Sequence, residues 1–292
     1  MTCHPRIWTL AVVALALLLG HGAHDQARAE PPGPKASSPT CNRAGFRVII
    51  DVGHTPQVPG AKSARGLNEY DFNLRLAKRI ERKLVETGFE KTVLLITDGK
   101  AHRSLVQRVA RANKSPADLF LSIHHDSVPD SFLQKWQFEG REHGYCDRFK
   151  GHSIFVSHYN ADFGSSLVFA RMLGMQLKAR GLKYTPHYTE RFMGHRQRQL
   201  VDPEAGVYRY DQLIVLKDTR MPAVLLEAGS IINRDEELVL ESPERQSLIS
   251  TAVSDAVDGF CAARKARNPD GIARQSPRSS PSRALAPAAM VR

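Results

Sequence analysis

Apolar positions along this chain fall into short runs that alternate between two periods. Phe46-Arg-Val-Ile-Ile-Asp-Val52 is a β-branched run of strand length that ends at Gly53. From Glu69 to Glu86, Phe72, Leu76, Ile80 and Leu84 recur at a helical period, and Gly88 sits where a helix-ending glycine belongs. Val93–Thr97 predicts a second strand, and Leu105–Asn113 a short helix capped by Ser104. Asp118–Ile123 and Ser153–Ser157 predict two more strands, and Ser165–Arg180 a helix closed by Gly181. Leu213–Leu216 and Ala223–Glu227 read as strands, and Leu248–Phe260 as the final helix. Strands that are apolar throughout and alternate with helices predict an α/β fold. The expected form is a single domain, with a mostly parallel twisted sheet covered by helices on both faces. There is no internal repeat. Val128–Gly151 and Tyr184–Gln212 break the pattern, and irregular stretches that long are often functional.

The ends have a different pattern. Arg6 precedes an apolar run from Ile7 to Gly20, too short to span a bilayer as a mature helix, and Ala27-Arg28-Ala29 is an A-x-A site. Residues 1–29 therefore read as a secretory signal peptide cut before Glu30, the alternative being an uncleaved anchor. No other segment is long and apolar enough to be transmembrane, so the expected location is exported, in the periplasm or cell envelope. Residues 30–44 read as a linker, 45–262 as the folded domain, and 263–292 as a disordered basic tail rich in Arg, Pro, Ser and Ala.

Composition narrows the classes. With 42% hydrophobic and 24% charged residues in 292, the chain is neither collagen-like nor a coiled coil nor wholly disordered. The net charge of +11 suggests an anionic partner. Most of it is tail: Arg264, Lys265, Arg267, Arg274, Arg278, Arg283 and Arg292 against Asp270 give +6, while residues 41–262 keep +4. No element carries a basic face interleaved with aromatics, so a nucleic-acid partner is not expected. Cys3 leaves with the signal peptide. Cys41 precedes the first strand and Cys261 ends the last helix, and domain termini are often close. A Cys41–Cys261 bridge is expected, with Cys146 unpaired.

In open α/β sheets, sites form beyond the carboxyl ends of the strands. Gly53-His54 follows the first strand, His124-His125-Asp126 the third, and Glu227 ends the last. Glu69 opens the first helix, whose N-terminus lies on the same edge. Two imidazoles and two carboxylates thus converge on one rim, where a bare buried charge would be costly. Hydrolytic zinc fits: three His and carboxylate ligands plus a water, with a separate carboxylate to move the proton. The assignment is His54, Glu69 and His124 as ligands and Glu227 as general acid/base. Singly, each has a plainer reading; Glu69, for instance, suits the first turn of any helix. Strand alternation lets only one of His124 and His125 face the site.

These stretches resemble the zinc-dependent N-acetylmuramoyl-L-alanine amidases of the amidase-3 type. Ile49-Ile-Asp-Val-Gly-His54 is similar to the family's D-x-G-H strand, and Gly66-Leu-Asn-Glu69 to its G-x-x-E. Ala117-Asp-Leu-Phe-Leu-Ser-Ile-His124 resembles its A-D-L-F-x-S-I-H, and Pro222-Ala-Val-Leu-Leu-Glu227 its P-x-V-L-x-E, with Asn233 following. The resemblance implies one zinc per chain and favours His124 over His125. It also implies peptidoglycan as partner and cleavage of the amide between N-acetylmuramic acid and L-alanine. Other readings are a zinc peptidase or deacylase on another amide, and a non-catalytic peptidoglycan-binding relative. Thr55, His125-Asp126 and Gly229-Ser-Ile-Ile-Asn233 depart from the family pattern. Some relatives carry an inserted helix that blocks the zinc until a protein activator displaces it; Val128–Gly151 and Tyr184–Gln212 are the candidate places. His143, His152, His158, His187 and His195 read as solvated loop residues. Trp136, Tyr184, Tyr188, Tyr208 and Tyr210 could line a glycan cleft or simply pack the loops.

Overall fold

The structure is a computed structural model that describes residues 40–267. The expected signal peptide, residues 30–39 of the linker and the tail beyond Arg267 lie outside the described residues. In chain order the elements are β1 (Arg47–Val52), α1 (Glu69–Glu86), β2 (Lys91–Leu95), α2 (Ala101–Lys114), β3 (Leu119–Asp126), β4 (Gln134–Phe138), β5 (Arg141–Tyr145), β6 (Ser153–Val156), α3 (Phe163–Ala179), β7 (Gln199–Asp202), β8 (Val207–Arg209), α4 (Ile214–Lys217), β9 (Ala223–Ser230), α5 (Arg234–Glu241) and α6 (Pro243–Arg267).

Seven strands form one sheet in the order β2-β1-β3-β9-β6-β8-β7, and β4-β5 is a separate hairpin. β2, β1, β3 and β9 are mutually parallel, as are β6 and β8; β6 is antiparallel to β9 and β7 to β8. The central strands alternate between two cores. Val48, Ile50, Leu121, Ile123, Val224 and Leu226 face α1, α3 and α6. Ile49, Phe120, Ala223 and Leu225 face the other way, where α2 and α4 supply Ala112, Val215 and Leu216. Both faces are covered, which is why these strands read as continuous apolar runs. On α1, Phe72, Leu76, Ile80 and Leu84 are each at most 2% exposed. Each contributes about 1.5–3 kcal/mol by leaving water.

The structure corrects several sequence expectations. Leu213–Leu216, expected as a strand, carries the single-turn helix α4, with Val215 and Leu216 buried. Four apolar residues bounded by polar ones suit either state. Ser104 lies inside α2, with its N–H donating to Lys100 O at 2.9 Å. Residues 263–267 continue α6 instead of starting a tail, and Arg264 sits over the Phe260 ring. At the other end, a 3-10 turn over Arg43–Gly45, capped by Asn42, already belongs to the fold. The irregular stretches hold the β4-β5 hairpin in one case, and 3-10 turns with β7 and β8 in the other. Neither contains an α-helix, so the blocking helix of some relatives has no counterpart in them. Trp136 packs the hairpin down. Its indole N–H donates to Ala64 O at 2.8 Å, and the Arg65 and Arg234 guanidiniums stand over its ring. His152 and His187 are not solvated; they are 4% and 3% exposed.

Cys41 and Cys261 are joined by a disulfide, and Cys146 is free and buried. The bridge ties the segment before β1 to α6 across 220 residues of sequence. Closing so long a loop in the unfolded chain is worth up to about 5 kcal/mol on chain-entropy grounds. The double variant Cys41→Ser/Cys261→Ser is expected to lose about 2–5 kcal/mol of unfolding free energy in urea, with the native fold kept.

Burial pushes the His152 imidazole down to about 4. The folded protein therefore resists a proton that the unfolded chain accepts near 6.5. That contribution is intact above pH 6.5 and is lost as pH falls from there toward 4, about 3 kcal/mol in all. His152→Phe is expected to flatten the loss of urea stability between pH 7 and 5.

Candidate functional site

The candidate site lies at the carboxyl rim of β1, β3 and β9. His54 follows β1 through Gly53, and Glu69 is the first residue of α1. His124 and Glu227 are register partners on the adjacent parallel strands β3 and β9. Their side chains share the parity of Phe120 and Leu225, the face opposite α1. His125 has the other parity and turns to α1, where its Nδ1 lies 2.8 Å from Asn73 Oδ1.

Glu69 joins the two imidazoles. His54 Nε2 is 2.9 Å from Glu69 Oε2, and His124 Nδ1 is 3.0 Å from Glu69 Oε1. One donor atom from each of the three lies within 4.8 Å of the others. Burial alone would raise the Glu69 carboxyl, but hydrogen bonds and charge from both imidazoles outweigh it and hold the group well below the carboxylate range. Burial lowers His124, against the pull of Glu69. Two imidazoles around one ionised carboxylate are a donor set that a divalent cation takes. The backbone leaves room for it: a Cβ on Gly53 would run into the His124 ring, and one on Gly60 into Glu69 Oε2 and the His54 ring.

The surrounding groups were not legible as functional in the sequence. Asn73, one turn along α1, donates to Glu69 Oε1 and to Gly53 O, both at 3.3 Å. The Ala61 N–H donates to Glu69 Oε2 at 3.1 Å. His54 has a left-handed backbone, φ 65°, and its carbonyl accepts from Arg108 Nη2. Arg108 is 1% exposed; its Nε donates to Thr97 Oγ1 at 2.8 Å and lies 3.5 Å from Asp51 Oδ1. Burial raises the Asp51 carboxyl to about 6, against Arg108 and the Ser122 hydroxyl. The one available signal is Arg108 itself, which occupies an apolar-face position between Leu105 and Ala112 of α2.

The departures from the family pattern have structural partners. Thr55 is buried and donates to Gly99 O at 2.8 Å, tying down the loop after His54. Asp126 is buried and accepts from the Tyr188 hydroxyl at 2.7 Å, with His187 Nε2 3.6 Å away. Asn233 caps α5 by accepting from the N–H groups of Asp235 and Glu236. Burial raises Asp126, opposed by Tyr188 and Arg196. Glu227 stands outside the three-residue cluster. Burial, then the charges of Asp126 and Glu69, push its carboxyl well above the usual range, and its Oε2 is enclosed without a partner. Glu227, His54, His124, Tyr188 and Tyr210 line one cleft of about 460 Å³. Tyr184 and Tyr208 pack behind it, with the Tyr208 hydroxyl bonded to Thr185 O at 2.6 Å.

Fold and site together define the class: an α/β protein with a His-Glu-His cluster, of a geometry able to hold a metal ion, at the carboxyl rim of a mostly parallel sheet. The N-acetylmuramoyl-L-alanine amidase family model of the amidase-3 type matches residues 48–259. The chain belongs to that family. It is 33% identical over 277 residues to the amidase AmiC of Escherichia coli, covering 85% of this chain and 61% of that one. An N-acetylmuramoyl-L-alanine amidase of Mycobacterium tuberculosis is 25% identical over 257 residues, covering 81% of this chain and 95% of its own. The crystal structure of the amidase Ami1 from Mycobacterium smegmatis superposes with a TM-score of 0.58 at 19% identity, over 76% of this chain and 99% of that one, and shares the fold.

The glycine cradle gives a direct check. Gly60→Ala would place a methyl against both Glu69 and His54, at a residue whose φ is 80°. Zinc affinity, measured by competition with a chromophoric chelator, is expected to fall about 10- to 100-fold while far-UV circular dichroism stays unchanged.

Proposed function

We propose that this chain hydrolyses the amide between N-acetylmuramic acid and the L-alanine of the peptidoglycan stem peptide. His54, Glu69 and His124 hold one zinc ion, and Glu227 is the general acid/base. The observation that carries this reading is the register pairing of His124 with Glu227, which sets a buried carboxyl beside the ligand cluster on the same face of the sheet. The family gives the substrate class. The expected signal peptide gives the place of action, the periplasm or cell envelope.

Zinc, when bound, supplies a Lewis acid for the scissile carbonyl and for water. The protein's own groups do the rest. His54 and His124 present imidazole nitrogens, and Glu69 stays ionised between them. Glu227 takes a proton from the attacking water and delivers it to the departing amine. Its environment favours the second half of that task. Burial and two nearby carboxylates make the protonated form stable enough to persist until the amine leaves. Tyr188 holds Asp126 in place behind Glu227, so the carboxyl that raises Glu227 has a fixed position.

Purified sacculi incubated with the zinc-loaded chain are expected to release stem peptides with a free L-alanine amine, identified by mass. Chelation stops the release. Glu227→Gln lowers the rate about 10²- to 10⁴-fold while zinc stoichiometry is kept. Cleavage inside the stem peptide would instead mark a zinc peptidase, and binding to sacculi without cleavage a non-catalytic relative.

A further inference from the structure

The cleft beside the ligand cluster has surfaces of two kinds. Leu105, Phe155, Leu213, Val215 and Leu225 are apolar, while Arg196 and Arg198 bring two guanidiniums to the same space. Elsewhere, Arg171, Arg209 and Arg234 are each paired with an aspartate. Arg196 and Arg198 have no carboxylate within ion-pair distance among the described residues.

Both are nevertheless held. Arg198 stacks on the Tyr210 ring, 3.8 Å from its centroid. Its hydrogen bonds leave from Nη1, to the carbonyls of His195 and Gln197 at 2.8 Å each, and its Nε is buried without a partner. Arg196 Nη2 donates to Ser127 O at 3.1 Å, which ties it to the chain just after β3. A guanidinium carries more N–H donors than these bonds use. Long side chains fixed in advance, with spare donors and no ion-pair partner, lose little freedom when an anion arrives. The anion must suit a cleft that also takes a peptide amide, and the peptide side of a stem carries free carboxylates.

We propose that Arg196 and Arg198 form an anion subsite that binds a free carboxylate of the stem peptide, so that the chain prefers acidic stems to amidated ones. This rests on the amidase reading, and deepens it by naming the substrate's chemistry. The carboxylate could belong to the second or to the third residue of the stem.

The test uses the zinc-loaded protein and synthetic muramoyl peptides. The second residue has its α-carboxylate free or amidated, and the third has or lacks a side-chain carboxylate. At one of the two positions the free carboxylate is expected to raise kcat/KM about 10- to 100-fold, mainly through KM. That position is the source. Arg198→Gln erases most of the preference and changes hydrolysis of the form lacking that carboxylate by less than about threefold; Arg198→Lys keeps part of it, and Arg196→Gln also erases most of the preference. Equal losses on both forms, or no preference in the unaltered protein, overturn the subsite. Calorimetric titration with the same stems lacking the muramoyl group reads binding without turnover. A binding preference without hydrolysis would keep the subsite and sink the proposed activity. Hydrolysis with no preference in either measurement would do the reverse.

Discussion

A carboxylate that is 5% exposed sits between two imidazoles, and much of the architecture serves to keep Glu69 charged there. An isolated charge would not survive such burial. Its Oε1 meets His124 and the Asn73 amide, and its Oε2 meets His54 and the Ala61 N–H. As the first residue of α1 it also lies at the positive end of a helix dipole. These partners come from β3, α1 and the loop between β1 and α1. The docking of α1 on the sheet is therefore fixed by the charge as well as by Phe72, Leu76, Ile80 and Leu84. Glycines at 53 and 60 follow from the same constraint, because any Cβ there would enter the space the donors share.

Much of this was legible in the sequence, for a definite reason. Side-chain parity is set by the strand alone, so Phe120, His124 and Leu225, Glu227 could be placed on one face before any coordinates. The same rule turns His125 toward Asn73. What stayed hidden depends on groups that meet only in three dimensions. Tyr188 and His187 sit in a stretch with no periodicity, and nothing in their neighbours announces contact with Asp126 across 62 positions. The solvated reading of His152 and His187 failed because an irregular segment was equated with an exposed one. Leu213–Leu216 was mistaken for a strand because one turn of helix is too short to show its period. Two shorter strands, β7 and β8, passed unseen because three or four residues at a sheet edge carry little pattern.

The floor of the site depends on a residue with no chemistry of its own to offer. His54 adopts a left-handed backbone, which costs about 1–2 kcal/mol for a residue with a side chain. Something must hold it there, and the donor is Arg108, reaching from α2 to the His54 carbonyl. Arg108 is itself almost fully buried, so it requires Asp51, the first residue of the same D-x-G-H stretch, as counter-charge. Asp51 in turn takes the Ser122 hydroxyl from β3, two residues before His124. The chain of dependence thus returns to the second imidazole. Breaking a buried pair costs far more than exchanging a surface one, because the remaining charge is stranded. The backbone of His54 is therefore held from below, while the cleft above it is lined by Glu227, whose Oε2 has no hydrogen-bond partner, and by Arg196 and Arg198. The sheet's own rim divides the charged groups: the buried pair of Arg108 and Asp51 lies beneath, and Glu227, Arg196 and Arg198 face the cleft.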